Sequence, residues 1–205
     1  MALNIRSVVY TDLPGQAKKV RDTSKEMDAE LKSIYKEVTD LRKDWFGDRY
    51  NGVVEAFNKM IPDFNDIIDL LERELPSTLE TVANNYSNVD RGQNITTVDN
   101  TKPVRINDIP ASMEAGVRYI PANVEQAEAK IFKSFARVIQ LMKSLQDQIN
   151  KLSWESDASD KFRAEFTRLQ NKISNSIEEV EEKFKENSNK TASDMAMAEK
   201  KSTTV

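Results

Sequence analysis

The chain has 205 residues, a formal net charge of −4, 31% charged and 39% hydrophobic residues, and only 5 Gly and 6 Pro. This balance favours long helices over sandwiches or nucleotide-binding α/β folds, and no basic patch points to nucleic acid. There is no cysteine and no histidine, which excludes disulfides, thiolate metal sites and the commonest general base.

Residues 1–12 form a short mixed lead-in, and Met1-Ala2-Leu3-Asn4-Ile5-Arg6 lacks the basic-then-apolar layout of a Sec signal peptide. Asp12-Leu13-Pro14 reads as a helix start, with Asp12 as cap and Pro14 in the first turn. Then Ala17, Val20, Ser24, Met27, Leu31, Ile34, Val38, Leu41 and Trp45 recur at alternating steps of 3 and 4 residues, with Ser24 the polar member. That seam predicts a helix packed lengthwise on partners, about 48 Å long from Leu13 to Asp44 at 1.5 Å per residue.

Asp44-Trp45-Phe46-Gly47-Asp48 reads as a hairpin turn, with Gly47 supplying the unusual backbone angle and Asp48 capping the next helix. The second stripe runs Val53, Phe57, Met60, Phe64, Ile67, Leu71, Leu75, Leu79, Val82, Tyr86 and Val89, and Pro62 and Pro76 predict kinks, or a break at Leu75 with a restart at Pro76. Residues 91–111 carry Gly, Asn, Thr and Pro without helical period and read as a crossover running back along the bundle.

The third helix is predicted over 112–150, with Val117, Val124, Ala127, Ile131, Phe135, Val138, Met142, Leu145, Ile149 and Leu152 as its stripe. Ser153-Trp154-Glu155-Ser156 is a second turn, followed by a helix with Ala158, Phe162, Phe166, Leu169, Ile173, Ile177, Val180 and Phe184 on one face. Beyond Phe184 the apolar pattern stops, so Asn187 to Val205 is expected to fray, with 191–205 a polar flexible tail. Met27, Met60, Met113 and Met142 are assigned to the core or seam rather than to a cofactor site. No stretch approaches a membrane-spanning apolar run.

A shift of 109 residues lays Trp45 on Trp154, Asp48 on Asp157 and Phe57 on Phe166, whereas before the turn the shift is 111, laying Leu31 on Met142 and Val38 on Ile149. One helical hairpin is marginal alone, while two packed face to face bury all four stripes. The expected fold is therefore all-α: two long helical hairpins, 1–90 and 112–190, packed as an elongated four-helix bundle.

A Trp-x-Gly turn between two matched long helices resembles the WXG100 (ESAT-6-like) proteins of type VII secretion, and this chain looks like a fused WXG100 dimer. The turn residues carrying the resemblance are Trp45 and Gly47, with Trp154 and Ser156 as their departed second copy. The resemblance further implies Tyr86-Ser87-Asn88-Val89-Asp90 as a Tyr-x-x-x-Asp export signal, whose Tyr86 and Asp90 lie one helical turn apart. The second half has no counterpart. The implied function is that of a secreted substrate or secretion partner in an ESX/Ess-like system, cytoplasmic before Sec-independent export from a Gram-positive bacterium.

The implied partners are a secretion ATPase (FtsK/SpoIIIE-like), an effector, or another WXG100-like protein, with the chain itself an intramolecular pseudo-dimer compatible with a monomer. Competing readings are a membrane-active helical toxin and a cytosolic helical adaptor or chaperone for a larger effector. The run Glu178, Glu179, Glu181, Glu182 and Glu186 is interleaved with Lys183 and Lys185 and reads as an ion-paired face, not a metal site. No nucleophile–base pair or phosphate-cradling loop is apparent, so neither an enzyme nor a cofactor is expected.

Overall fold

A computed structural model describes residues 5–202. In chain order, a short strand β1 (Ile5–Val8) leads into α1 (Leu13–Asp40), which tightens to a 3₁₀ turn at Leu41–Lys43. Strand β2 (Trp45–Phe46) precedes α2 (Asp48–Asp69), a π-helical turn at Leu70–Glu74 and α3 (Leu75–Arg91). An extended crossover reaches β3 (Arg118–Tyr119), then α4 (Pro121–Asn150), β4 (Trp154–Ser156) and α5 (Asp157–Ser202). The fold is all-α with four long helical stretches, α1 packing on α4 and α2 on α5.

The chain divides into two compact units, each drawing a segment from every long helical stretch. Unit 1 takes residues up to Ala29, Asp63–Arg105 and Val138–Lys172. Its core includes Leu13, Val20 and Met27 of α1, Phe64 and Leu79, Met142 and Ile149 of α4, and Trp154 and Phe166, all buried. Ser24, the polar member of the α1 stripe, is buried too. Across α1 and α4, Gln148 Nε2 donates to Thr23 Oγ1 at 2.9 Å.

Unit 2 takes Glu30–Pro62, Ile106–Arg137 and everything from Ile173. Leu31, Val38, Phe57, Ile131, Phe135, Ile177 and Phe184 fill its core. Lys130 of α4 pairs with Glu37 of α1 at 3.5 Å.

The two prolines behave differently. α2 runs unbroken through Pro62. Near Pro76 the helix widens instead of breaking: the Leu75 N–H reaches back to the Leu70 carbonyl. Pro76 has no N–H for the carbonyl four residues earlier, that of Glu72. Arg21 fills the vacancy, its Nε donating to the Glu72 carbonyl at 3.2 Å. The same guanidinium grips the buried Glu80 carboxylate with Nη1 and Nη2 at 2.5 and 3.1 Å, a bidentate pair with one charge satisfying the other.

Three stretches depart from the sequence expectations. The third helix starts at Pro121, not Ser112, because the chain over 112–119 is not helical: it bends at Ala115–Gly116 and then forms β3 at Arg118–Tyr119; Met113 (89% exposed) and Val117 therefore lie outside the core. Val89 is likewise off the stripe at 90% exposed, near the end of α3. The expected fraying from Asn187 does not occur, as α5 remains helical to Ser202. Small residues replace the large apolar ones there: Ser188 and Thr191 are buried, and Asn187 Nδ2 donates to the Arg49 carbonyl at 2.9 Å. Residues 203–205 of that predicted tail lie outside the described residues.

The crossover is held by side-chain amides. In unit 2, Asn58 both donates to and accepts from the backbone of Ile109, each at 2.9 Å, and Asn51 does the same to Ser112 at 3.2 and 2.7 Å. A side-chain amide offers one acceptor and one donor side by side, so each Asn imitates a neighbouring strand. The spacing fits: seven residues of helix rise about 10.5 Å, and three residues of extended chain cover about 10 Å. In unit 1, Asn84 binds the backbone of Ile95 and Thr96 in this way, while Glu80 and Arg21 take the N–H and carbonyl of Asp99.

Candidate functional site

The two tryptophan turns are built alike. In unit 2, β2 pairs antiparallel with β3, Trp45 opposite Tyr119 and Phe46 opposite Arg118. The Ile120 N–H donates to the Asp44 carbonyl at 2.9 Å. In unit 1, β4 pairs antiparallel with β1, Trp154 opposite Val8 and Glu155 opposite Ser7. The Val9 N–H donates to the Ser153 carbonyl at 2.9 Å. The segment leading into each half thus pairs with the turn of the other half, a feature that helix periodicity does not reveal.

Trp45 is buried under three edge-on aromatic rings: Tyr119 at 5.7 Å, Phe184 at 5.5 Å and Tyr50 at 6.2 Å between centroids. Burial pushes the Tyr50 phenol up to about 12, and its hydroxyl donates to the Val38 carbonyl at 3.0 Å, one of the acceptors left open where α1 ends. Gly47 has φ +117°, a conformation that favours glycine, while a Cβ there would stand 3.4 Å from the Gly116 carbonyl oxygen, an ordinary contact, so the backbone angle and not the space selects glycine. Asp48 opens α2, its charge beside the positive end of the helix dipole. An open groove of about 380 Å³ adjoins the turn, lined by Trp45, Gly47, Val117, Met195 and Ala198, with Arg49 and Asp194 paired on its rim at 2.6 Å.

Trp154 is as deeply buried, with Phe162 alone in ring contact among the described residues, at 6.3 Å. Ser156 stands where the first turn has Gly47 and makes a reciprocal cap: Ser159 N donates to Ser156 Oγ at 3.1 Å, and Ser156 N donates to Ser159 Oγ at 2.9 Å. This is a capping box in which a serine replaces the usual Glu or Gln. No residue other than glycine has positive φ among the described residues, so this shorter turn closes without the left-handed step.

Tyr86 and Asp90 sit together on the closing turns of α3, which ends in an αL cap at Gly92. Tyr86 is half-buried, and its hydroxyl makes no hydrogen bond among the described residues. Asp90 is exposed and accepts a hydrogen bond from the Tyr10 hydroxyl, while the Arg91 guanidinium lies 5.9 Å from the centre of the Tyr10 ring and 3.5 Å from the Asp90 carboxylate. Donation to Asp90 holds the Tyr10 phenol above its ordinary range. The structure joins Tyr86 and Asp90 in one place and keeps Trp45 with Gly47 and Trp154 with Ser156 in two others. Tyr10, Tyr50, Arg21 and the asparagines at 51, 58 and 84 escaped the sequence reading. Of these, the seven-residue spacing of Asn51 and Asn58 on a helix facing a long crossover was a usable signal.

Residues 7–91 match the WXG100 family, described as proteins of 100 residues with WXG. They form a WXG100 domain. Its WXG is Trp45-Phe46-Gly47, and the matched span closes at Arg91, immediately after Asp90. No curated protein and no solved structure matches the chain. The match suggests a helical protein associated with type VII secretion. Among the described residues no helix is long and apolar enough to cross a membrane.

Proposed function

We propose that the protein is a secreted substrate or secretion partner of a type VII (ESX/Ess-like) system, acting by protein–protein binding, with Tyr86 and Asp90 as its export signal. The observation that carries this reading is the placement of both residues on the closing turns of the second long helix of a WXG100 domain, Asp90 exposed and the Tyr86 hydroxyl uncommitted. The proposed reader is the secretion ATPase of the FtsK/SpoIIIE-like class, on the cytoplasmic side before Sec-independent release. The hairpin at 112–190 serves as the fused second member of the pair, in place of a separate WXG100-like chain. The reciprocal strand pairing of the two turns supports that role, since its partners correspond under the same shifts of 111 and 109 that align the halves.

The test is secretion into culture supernatant, with and without the ATPase. Tyr86→Ala is expected to lower the secreted fraction about tenfold or more, the loss of one aromatic anchor. Secretion that persists unchanged without the ATPase would sink the proposal.

A further inference from the structure

The Asp90 half of the signal is not self-supporting. A carboxylate in the closing turn of a helix faces the negative end of the helix dipole and favours fraying of that turn. Fraying would separate Tyr86 from Asp90, which share one face only while the helix holds its register. Two groups oppose this. Arg91 supplies a neighbouring cation at 3.5 Å, and Tyr10 donates its hydroxyl to the carboxylate from a different segment of the chain.

Tyr10 is itself fixed. It follows β1, whose pairing with β4 continues through the Val9 N–H to the Ser153 carbonyl. Beyond it, Gln16 exchanges hydrogen bonds with Ser153 at 2.9 and 3.1 Å, and the Ser153 hydroxyl donates to Asp12 at 3.0 Å. The turn of the second half therefore sets where Tyr10 stands.

We infer that Tyr10 is a positioning residue of the export signal, holding Asp90 in register with Tyr86. This rests on the export reading given above.

The experiment compares secretion of the full-length protein as wild type, Tyr10→Phe, Asp90→Asn, the double variant and Tyr86→Ala. Tyr10→Phe keeps the ring against Arg91 and removes only the hydroxyl. It is expected to lower secretion about threefold to tenfold, the range of one lost hydrogen bond to a charged group, with the melting midpoint unchanged. The double variant should secrete no worse than Asp90→Asn alone. Ultraviolet titration of the tyrosines gives a readout independent of secretion: the high-titrating phenol that Tyr10→Phe removes should move down in Asp90→Asn. Wild-type secretion by Tyr10→Phe beside impaired Tyr86→Ala would overturn the role of Tyr10 and leave the export reading standing, as would additive losses in the double variant or an unmoved phenol. Wild-type secretion by Tyr86→Ala would remove the export reading and this inference with it.

Discussion

The turn of unit 2 and the turn of unit 1 solve the same problems with exchanged chemistry. Each must satisfy carbonyls left at the end of a helix. Tyr50 donates to the Val38 carbonyl in one, and Arg163 Nε donates to the Ile149 carbonyl at 3.4 Å in the other. Each also ties its turn to the incoming chain through a polar side-chain pair at corresponding positions. In unit 2 the Asn123 amide donates to Asp44 at 2.9 Å, and in unit 1 the Ser153 hydroxyl donates to Asp12 at 3.0 Å, with carboxylate and donor trading places. What the turns share is which atoms must be satisfied. The residue types can be exchanged, and the Trp-x-Gly signature records only one version.

The sharpest way to break the comparison is to empty the two indole sites. Trp45→Ala and Trp154→Ala should each cost about 3–5 kcal/mol in chemical denaturation, as large buried-to-small changes do. Trp45→Ala should be the worse of the two, because three aromatic rings lose their partner rather than one. Equal losses would mean that ring contacts add little beyond burial.

The glycine positions should differ next. Gly47→Ala is expected to destabilise by about 1–3 kcal/mol, since its φ is hostile to any side chain. Ser156→Gly should cost only a few tenths of a kcal/mol, and Ser156→Ala about 1 kcal/mol, as for loss of an N-cap. Reversal of that order in denaturant midpoints would contradict the assignment of Ser156 as a cap.

The smallest effect should appear on acidification. Hydrogen bonds from Arg42, and then from Ser112, hold Glu114 down at about 2 against an ordinary 4.5. A carboxylate depressed in the folded state stabilises above its unfolded value and loses that contribution as pH falls through the folded one. The contribution should therefore fade between pH 4.5 and about 2. Trp45 emission in a Trp154→Phe background should report it, and Glu114→Gln should abolish the step. Exposure of this pair to solvent keeps the effect modest.

Much of this architecture was legible in heptad spacing. The a/d seams of α1, α4 and α5 reach the core almost residue for residue, because a buried stripe must repeat at the helical period. Residues 112–119 were not legible: Val117 sits at a helical interval from Val124, yet the chain bends just before it at Ala115–Gly116 and passes straight into strand β3. The end of α5 was missed for the opposite reason, since Ser188 and Thr191 pack where the helix comes close, and small polar residues carry no apolar signal. At the candidate site, Tyr86 and Asp90 could be found from their spacing on one helix. Tyr10 could not, because its pairing with Asp90 spans 80 residues and depends on where the lead-in docks.

The asparagine clamps have a consequence for how the chain tolerates change. Asn51, Asn58 and Asn84 grasp the crossover through its main chain, which every residue except proline offers in the same form. The instruction for the path of residues 95–112 is thus written on the helices and not in the crossover itself. Apart from buried Ile109 and Ser112, whose hydroxyl also donates to Glu114, that stretch is free to drift in sequence, accept a tag or carry a foreign epitope, while the three asparagines are not.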